Sequence, residues 1–304
     1  MKSLKIIKIS QILLIFLHLS LFLEANNTLS IEKDDEKIRV FISETNKILV
    51  TQHIREGFRP YLHPIHGSNG IGILTQYSPG HHKHQTGLYW GLTRVNGRDY
   101  FHNPGSKYWR KKSANVVKRS DGRVEWSTNY EMLDDKGAPM MTETQSWLME
   151  LTSDGNMTLD LEWIGHANAE ITISKYNYGG LFLRMPWKRN IEAETFNSKG
   201  DQNQTGEGKS AHWVDIGMEI SGLDDMGRIV ILDHPSNDGF PNLWRIDGQF
   251  GVGPALARRD DLKIEQGKSK IFKHRLVVYS GKHDKAFVEK QWKNWKNRQK
   301  NQPR

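Results

Sequence analysis

From residue 123 to residue 130 the chain alternates strictly. Val124, Trp126, Thr128 and Tyr130 fall on one side, and Arg123, Glu125, Ser127 and Asn129 on the other. A period of two is that of a strand with one buried and one wet face. The pattern recurs where Met157, Leu159, Leu161 and Trp163 alternate with Thr158, Asp160 and Glu162. It recurs again where His212, Val214, Ile216, Met218 and Ile220 oppose Trp213, Asp215 and Glu219. Apolar runs at 87–91, 228–232 and 272–279 predict further strands. Turn signals punctuate them: Asn96-Gly97, Asp121-Gly122, Asp135-Lys136-Gly137, Asp154-Gly155, Gly179-Gly180 and Ser280-Gly281. One helix is predicted near 284–299, where Val288, Trp292 and Trp295 recur at helical spacing behind a capping Asp284. Many strands without β-α alternation predict an all-β fold, a large antiparallel β-sandwich, with the two helix tryptophans laid on a sheet. No period of 20–50 residues is present, which excludes propellers and solenoids.

The first 25 residues stand apart. Lys2, Lys5 and Lys8 precede an apolar run at 12–23, and Ala25 is a plausible cleavage residue. About twelve apolar residues are short of the roughly 20 that a spanning helix needs. Export to the periplasm or medium is expected, with no stable membrane insertion afterwards and one domain over 26–304; an uncleaved anchor is the alternative. Among 304 residues there is no cysteine, which excludes disulfides, thiolate metal sites and cysteine nucleophiles. The formal charge is +8, partly gathered in 107–112 and in the C-terminal run. An exported chain makes nucleic acid a poor partner, and an acidic saccharide a compatible one. A polar stretch at 196–210 is long enough to rim a site or simply to be mobile.

Candidate chemistry gathers in two segments. Residues 80–105 carry His81, His82 and His84 on a Gly-led loop, then the short strand 87–91 and the Asn96-Gly97 turn. Residues 231–247 carry Asp233, His234 and Asn237 at a strand end, then Trp244 and Arg245. Pro235 biases His234 towards extended backbone, presenting its imidazole there. His82, His84 and His234 are acid–base candidates, with Asp215 and Asp233 to orient them or act as bases. Trp90, Trp213 and Trp244 are expected as walls for a ring-shaped ligand, with Asn96 and Asn237 hydrogen bonding to it. Arg184 and Arg245 would hold charge, Arg184 against an acidic ligand or a carboxylate such as Asp215. Trp126, Trp147 and Trp163 read as core. His82 and His84 could ligate a metal only with His66 or His234, and no HExxH or facial-triad spacing is present. No cofactor is expected, since P-loop, dinucleotide and nucleophile-elbow motifs are missing.

Five motifs in order carry a family resemblance: HHKHQTGLYWG, VNGRDYF, GGLFLR, HWVDI, and DHPSN with its downstream tryptophan. Together they resemble the DUF6807 family, whose members often carry the label "methane oxygenase PmoA family". The resemblance implies an exported all-β protein linked to bacterial carbohydrate catabolism, with a sandwich like that of galactose mutarotases. In this chain Gln85 and Arg245 stand where relatives often carry imidazoles. The expected function is a carbohydrate-active enzyme using histidine–aspartate acid–base chemistry on a saccharide or modified sugar. The alternatives are a glycan-binding protein without catalysis and the metal-dependent oxygenase of the label. His84 and His234 are expected to meet at one end of the sandwich.

Overall fold

The computed structural model describes residues 28–80, 82–118 and 122–298. The leader with its cleavage residue, His81, Asp121 and the last six residues lie outside these. In chain order the strands are β1 (Leu29–Lys33), β2 (Lys37–Ile42), β3 (Lys47–His53), β4 (Tyr61–Ile65), β5 (Leu88–Gly91) and β6 (Trp109–Lys118). Next come β7 (Val124–Leu133), β8 (Pro139–Leu151), β9 (Met157–Ala167), β10 (Ile171–Ile173), β11 (Gly180–Arg184) and β12 (Ala193–Asn197). The remainder are β13 (Trp213–Met218), β14 (Gly227–Asp233), β15 (Leu243–Ile246), β16 (Gly251–Ala255), β17 (Leu262–Ile264), β18 (Ser269–Ser280) and helix α1 (Lys285–Arg298).

Two eight-stranded antiparallel sheets result. The first runs β1-β2-β3-β4-β5-β11-β16-β15 and the second β12-β13-β14-β18-β9-β8-β7-β6. A small ladder joins β10 to β17. Alternation decides what lies between the sheets. From the first sheet, Leu88, Trp90, Leu181 and Leu183 point inward; from the second, Trp126, Trp147, Trp163, Ile216 and Ile231 meet them. Trp90 stacks on Trp163 at 4.4 Å across this interface. Each such ring buries a large apolar area, and truncating one to alanine costs about 3–5 kcal/mol.

The outer faces differ. That of the second sheet presents Trp213, Val230, Leu232, Val277 and Tyr279, on which α1 lays Val288, Trp292 and Trp295. The Asp284 carboxylate accepts the Phe287 amide at 3.0 Å, capping the helix as its sequence position predicts. The outer face of the first sheet carries a cross-strand row of Tyr61, Tyr89 and Phe182, paired in register on β4, β5 and β11. Loops, not a helix, cover that row.

Candidate active site

Four segments converge over the row. Residues 77–86 form a hairpin: Tyr77 pairs with Thr86, the Ser78 amide donates to the Gln85 carbonyl at 2.7 Å, and the Gln85 amide to that of His82 at 2.9 Å. Its tip carries His82 and His84. The Asn96-Gly97 turn, with positive φ at both positions as that pair predicts, brings in residues 99–102. Tyr178 precedes β11, and β15 contributes Arg245 and leads to Asp247. His82, His84, Gln85, His102, Tyr178, Arg245 and Asp247 line one pocket with Phe101 and Phe182 beneath them.

Arg59 fastens the hairpin to the turn. Its fully buried guanidinium donates to the carbonyls of His84 (2.8 Å) and Phe101 (2.7 Å) and lies 3.7 Å over the Tyr89 ring. Burial lowers its pKa to about 10, so it stays cationic at neutral pH. Gly91 makes the room. A Cβ there would sit 3.0 Å from Phe101 Cα and 3.2 Å from Arg59 Nη1.

Asp99 organises the proton chemistry. One of its oxygens accepts the amides of Phe101 (2.9 Å) and His102 (3.1 Å); the other accepts His102 Nδ1 at 2.6 Å. Burial works against its charge, but the hydrogen bonds from His102 and these amides outweigh it and hold the carboxyl below its ordinary range. An ionised Asp99 can only accept, so Nδ1 carries the proton and Nε2 is left facing the Tyr178 hydroxyl at 3.2 Å. Burial pushes the Tyr178 phenol up, and neighbouring Tyr176 adds to this. It therefore donates to Nε2. The His84 ring lies 4.4 Å from that of His102. Burial, then His102 and Arg59, lower the His84 pKa to about 3, so it is neutral.

The far wall is charged. Arg184 donates to Gln85, to the Gln249 carbonyl (2.5 Å) and to Asp247 (3.1 Å). Its partner is thus Asp247, not Asp215. Gly251 allows this: a Cβ there would collide with the Asp247 carboxylate, which accepts the Gly251 amide at 2.9 Å. Arg245 reaches Glu207 at 2.9 Å, so the 196–210 stretch backs Arg245, while the pocket lining comes from other segments.

The remaining expected site residues lie elsewhere, for reasons of strand parity. Trp90 points into the core. Trp213 is buried under α1, with Glu289 accepting its Nε1 at 3.0 Å. Trp244 is fully buried and donates to the Ala211 carbonyl. None of the three is a wall of this pocket. Asn96 ties its turn to the 170–172 segment, its side chain donating to the Glu170 carbonyl and accepting the Thr172 amide. Asp215 is fully buried on β13, bound to Arg228, Tyr279 and His283.

Asp233 ends β14 and accepts from Asn237 (2.7 Å) and Asn242 (3.0 Å), and burial raises its pKa to about 6. Asn237 spans to the Lys273 backbone. His234, one residue on, turns to the helix side and meets the Trp295 ring edge-on at 5.0 Å. His84 and His234 therefore do not share a pocket: one lies on the outer face of the first sheet, the other beside the helix on the second. The two segments meet where Arg245 and Asp247 line the pocket beside His82, His84 and His102.

Arg59, Asp99, His102, Tyr178 and Asp247 are contributions that strand patterns did not single out. Asp99-x-x-His102 was the available signal, a carboxylate and an imidazole at turn spacing just after Asn96-Gly97. Among the described residues, no three His, Asp or Glu side chains are grouped to hold a metal ion.

The model of a family of unknown function, DUF6807, matches residues 30–293. The chain belongs to DUF6807. The DUF6807 match spans both sheets, and all the pocket residues fall within it. No curated protein matches this DUF6807 chain. Among solved structures, it is similar to a galactose 1-epimerase from Lactobacillus acidophilus NCFM (8% identity, TM-score 0.38, covering 84% of this chain and 100% of that one). It is also similar to a TPR-domain containing protein from Parabacteroides distasonis ATCC 8503 (9% identity, TM-score 0.31, covering 85% of this chain and 48% of that one). TM-scores this low assign neither fold nor function to this DUF6807 member.

Proposed function

We propose that the protein is a carbohydrate-active enzyme whose acid–base centre is His102, oriented by Asp99 and relayed to the pocket by Tyr178, with His84 as the second imidazole. The observation that carries this reading is the Asp99–His102–Tyr178 chain, 2.6 Å and 3.2 Å long, ending in a pocket. A proton leaving a bound hydroxyl or carbon passes to Nε2 directly or through the phenol. The Asp99 charge then stabilises the imidazolium that forms. The neutral His84 ring offers one donor and one acceptor to the same ligand. Tyr178 gives a ring face, and Gln85, Arg245 and Asp247 give polar groups around it, as a hydroxylated ring requires. The basic and apolar leader supports action outside the cytoplasm.

A panel of mono- and oligosaccharides, neutral and acidic, followed by proton NMR with wild type and His102→Gln, tests the proposal. Turnover of at least one sugar, lowered about 10²–10⁴-fold in His102→Gln, is the expected result. Binding without turnover across the panel would make the protein a glycan-binding module. Turnover indifferent to His102 would move the chemistry elsewhere.

A further inference from the structure

The charges on the pocket's far wall do not balance, and the excess has a definite address. Three guanidiniums, Arg184, Arg245 and Arg258, face two carboxylates, Asp247 and Glu207. Both carboxylates are fully engaged. Asp247 takes Arg184 and the amides of Gln249 and Gly251. Glu207 takes Arg245, Arg258 and the Ile246 amide. The third carboxylate nearby, Asp99, is turned onto His102.

Two of the guanidiniums are engaged as well. Arg184 bonds three partners and its side chain is 2% exposed. Arg258 divides itself among Glu207 and the carbonyls of Asn177 and Trp244. Arg245 differs. Nη1 goes to Glu207, the side chain is 31% exposed, and the rest of the fork borders the pocket 5.9 Å from the Tyr178 ring. Its position on β15 explains this, because Trp244 and Ile246 turn into the core and leave Arg245 outward. His84, neutral, adds no charge that would compete for an anion.

We infer that the pocket's ligand is a saccharide carrying a carboxylate, a uronate or other sugar acid, held by the outward edge of Arg245 while its ring lies against Tyr178. This rests on the function proposed above. One planar fork with one open edge matches one planar carboxylate, which it can grip with two parallel hydrogen bonds. A sulfate or phosphate ester, with three oxygens to satisfy, finds no second open cation among the described residues of this wall.

The test uses galacturonate, glucuronate and mannuronate saccharides, each paired with its neutral methyl ester, and calorimetric titration of the full-length protein. At least one acid should bind about tenfold tighter than its ester, the size of one charge-assisted pair. Arg245→Gln should abolish that difference, bringing each acid to the affinity of its ester. Glu207→Gln keeps one oxygen for the two arginines, gives up the acceptor of the Ile246 amide and removes the competing charge, and should widen the difference. Equal binding of acids and esters, tighter binding of sulfated sugars, or a difference narrowed by Glu207→Gln would each overturn the inference. The two readings fail separately. Neutral-sugar turnover that needs His102, without any preference for acids, sinks this inference alone. Acid binding that needs Arg245, without turnover of anything, sinks catalysis alone.

Discussion

Asp99–His102 and Asp215–His283 are the same chemical pair at the same 2.6 Å separation, set in different surroundings. Around Asp99 the remaining acceptor capacity goes to two backbone amides, and the far nitrogen of the ring looks through Tyr178 into the pocket. Around Asp215 it goes to the Arg228 guanidinium and, at 2.6 Å, to the Tyr279 hydroxyl. The His283 ring lies flat on Phe196 at 4.1 Å, and the opening beside it is walled by Glu192, Glu194, Asp224 and Asp225. Both imidazoles thus border an opening, and what distinguishes them is company. Asp215 is tied to a buried cation in a charge network, whereas the role proposed for Asp99 needs a ring nitrogen turned towards Tyr178 and the groups around it.

The largest effect should separate the two pairs directly. His102→Ala is expected to lower turnover about 10²–10⁴-fold, and His283→Ala to leave it within a factor of about two; steady-state kinetics on whichever sugar is turned over decides. Next comes the network itself. Arg228 is fully buried against Asp215 and bonds Glu194 at 2.7 Å, so Arg228→Ala leaves a buried carboxylate short of its cation. A loss of about 3–5 kcal/mol in denaturant unfolding is expected, and a loss below about 1 kcal/mol would mean that His283 and Tyr279 suffice.

A third carboxylate sharpens the contrast by having no imidazole. Glu143 is buried between the sheets, accepting from Trp163 Nε1 (2.7 Å) and Gln145 (2.9 Å), and burial raises its pKa to about 7. A raised carboxyl favours folding fully below its ordinary value of 4.5, and this contribution is lost as pH climbs through about 7. Relative to Glu143→Gln, wild type should therefore lose stability between pH 5 and pH 8, by on the order of 3 kcal/mol at most, in thermal unfolding followed across pH. Identical pH profiles of the two proteins would show that Glu143 ionises freely. The smallest effect is expected at His234, whose ring rests edge-on against Trp295. His234→Ala should cost about 1 kcal/mol and leave turnover unchanged, and a large kinetic defect would reinstate it as an acid–base group.

Much of the scaffold was legible in the chain. Alternation at 124–130, 157–163 and 213–218 marks strands that form with the expected faces, and the tryptophan spacing of α1 marks the helix that covers one of them. The same alternation explains why Trp90, Trp213 and Trp244 misled. Each lies in a polar motif, yet each is placed by parity inside the core or under α1. Polar neighbours in sequence are neighbours on the opposite face. His84 and Arg245 could be named from composition, but their company could not. Asp99 and His102 reach the pocket by a turn, Tyr178 by a loop before β11, and Arg59 from a stretch with no periodic signal at all. The relevant relations are between loop residues 25 to 85 positions apart, and only the order of the strands that carry those loops supplies them.

Arg59 gives the pocket an architecture in which holding and choosing are separated. One guanidinium grips the backbone carbonyls of His84 and Phe101 and never the side chains that face a ligand. Side chains at the hairpin tip and in the 99–102 turn can therefore be exchanged without loosening the clasp. Loss of the clasp, in contrast, would release both segments together whatever side chains they bear. The frame is thus set apart from the side chains that line the pocket. This also makes Arg59 the position where amide exchange in the hairpin and in the turn should rise in concert.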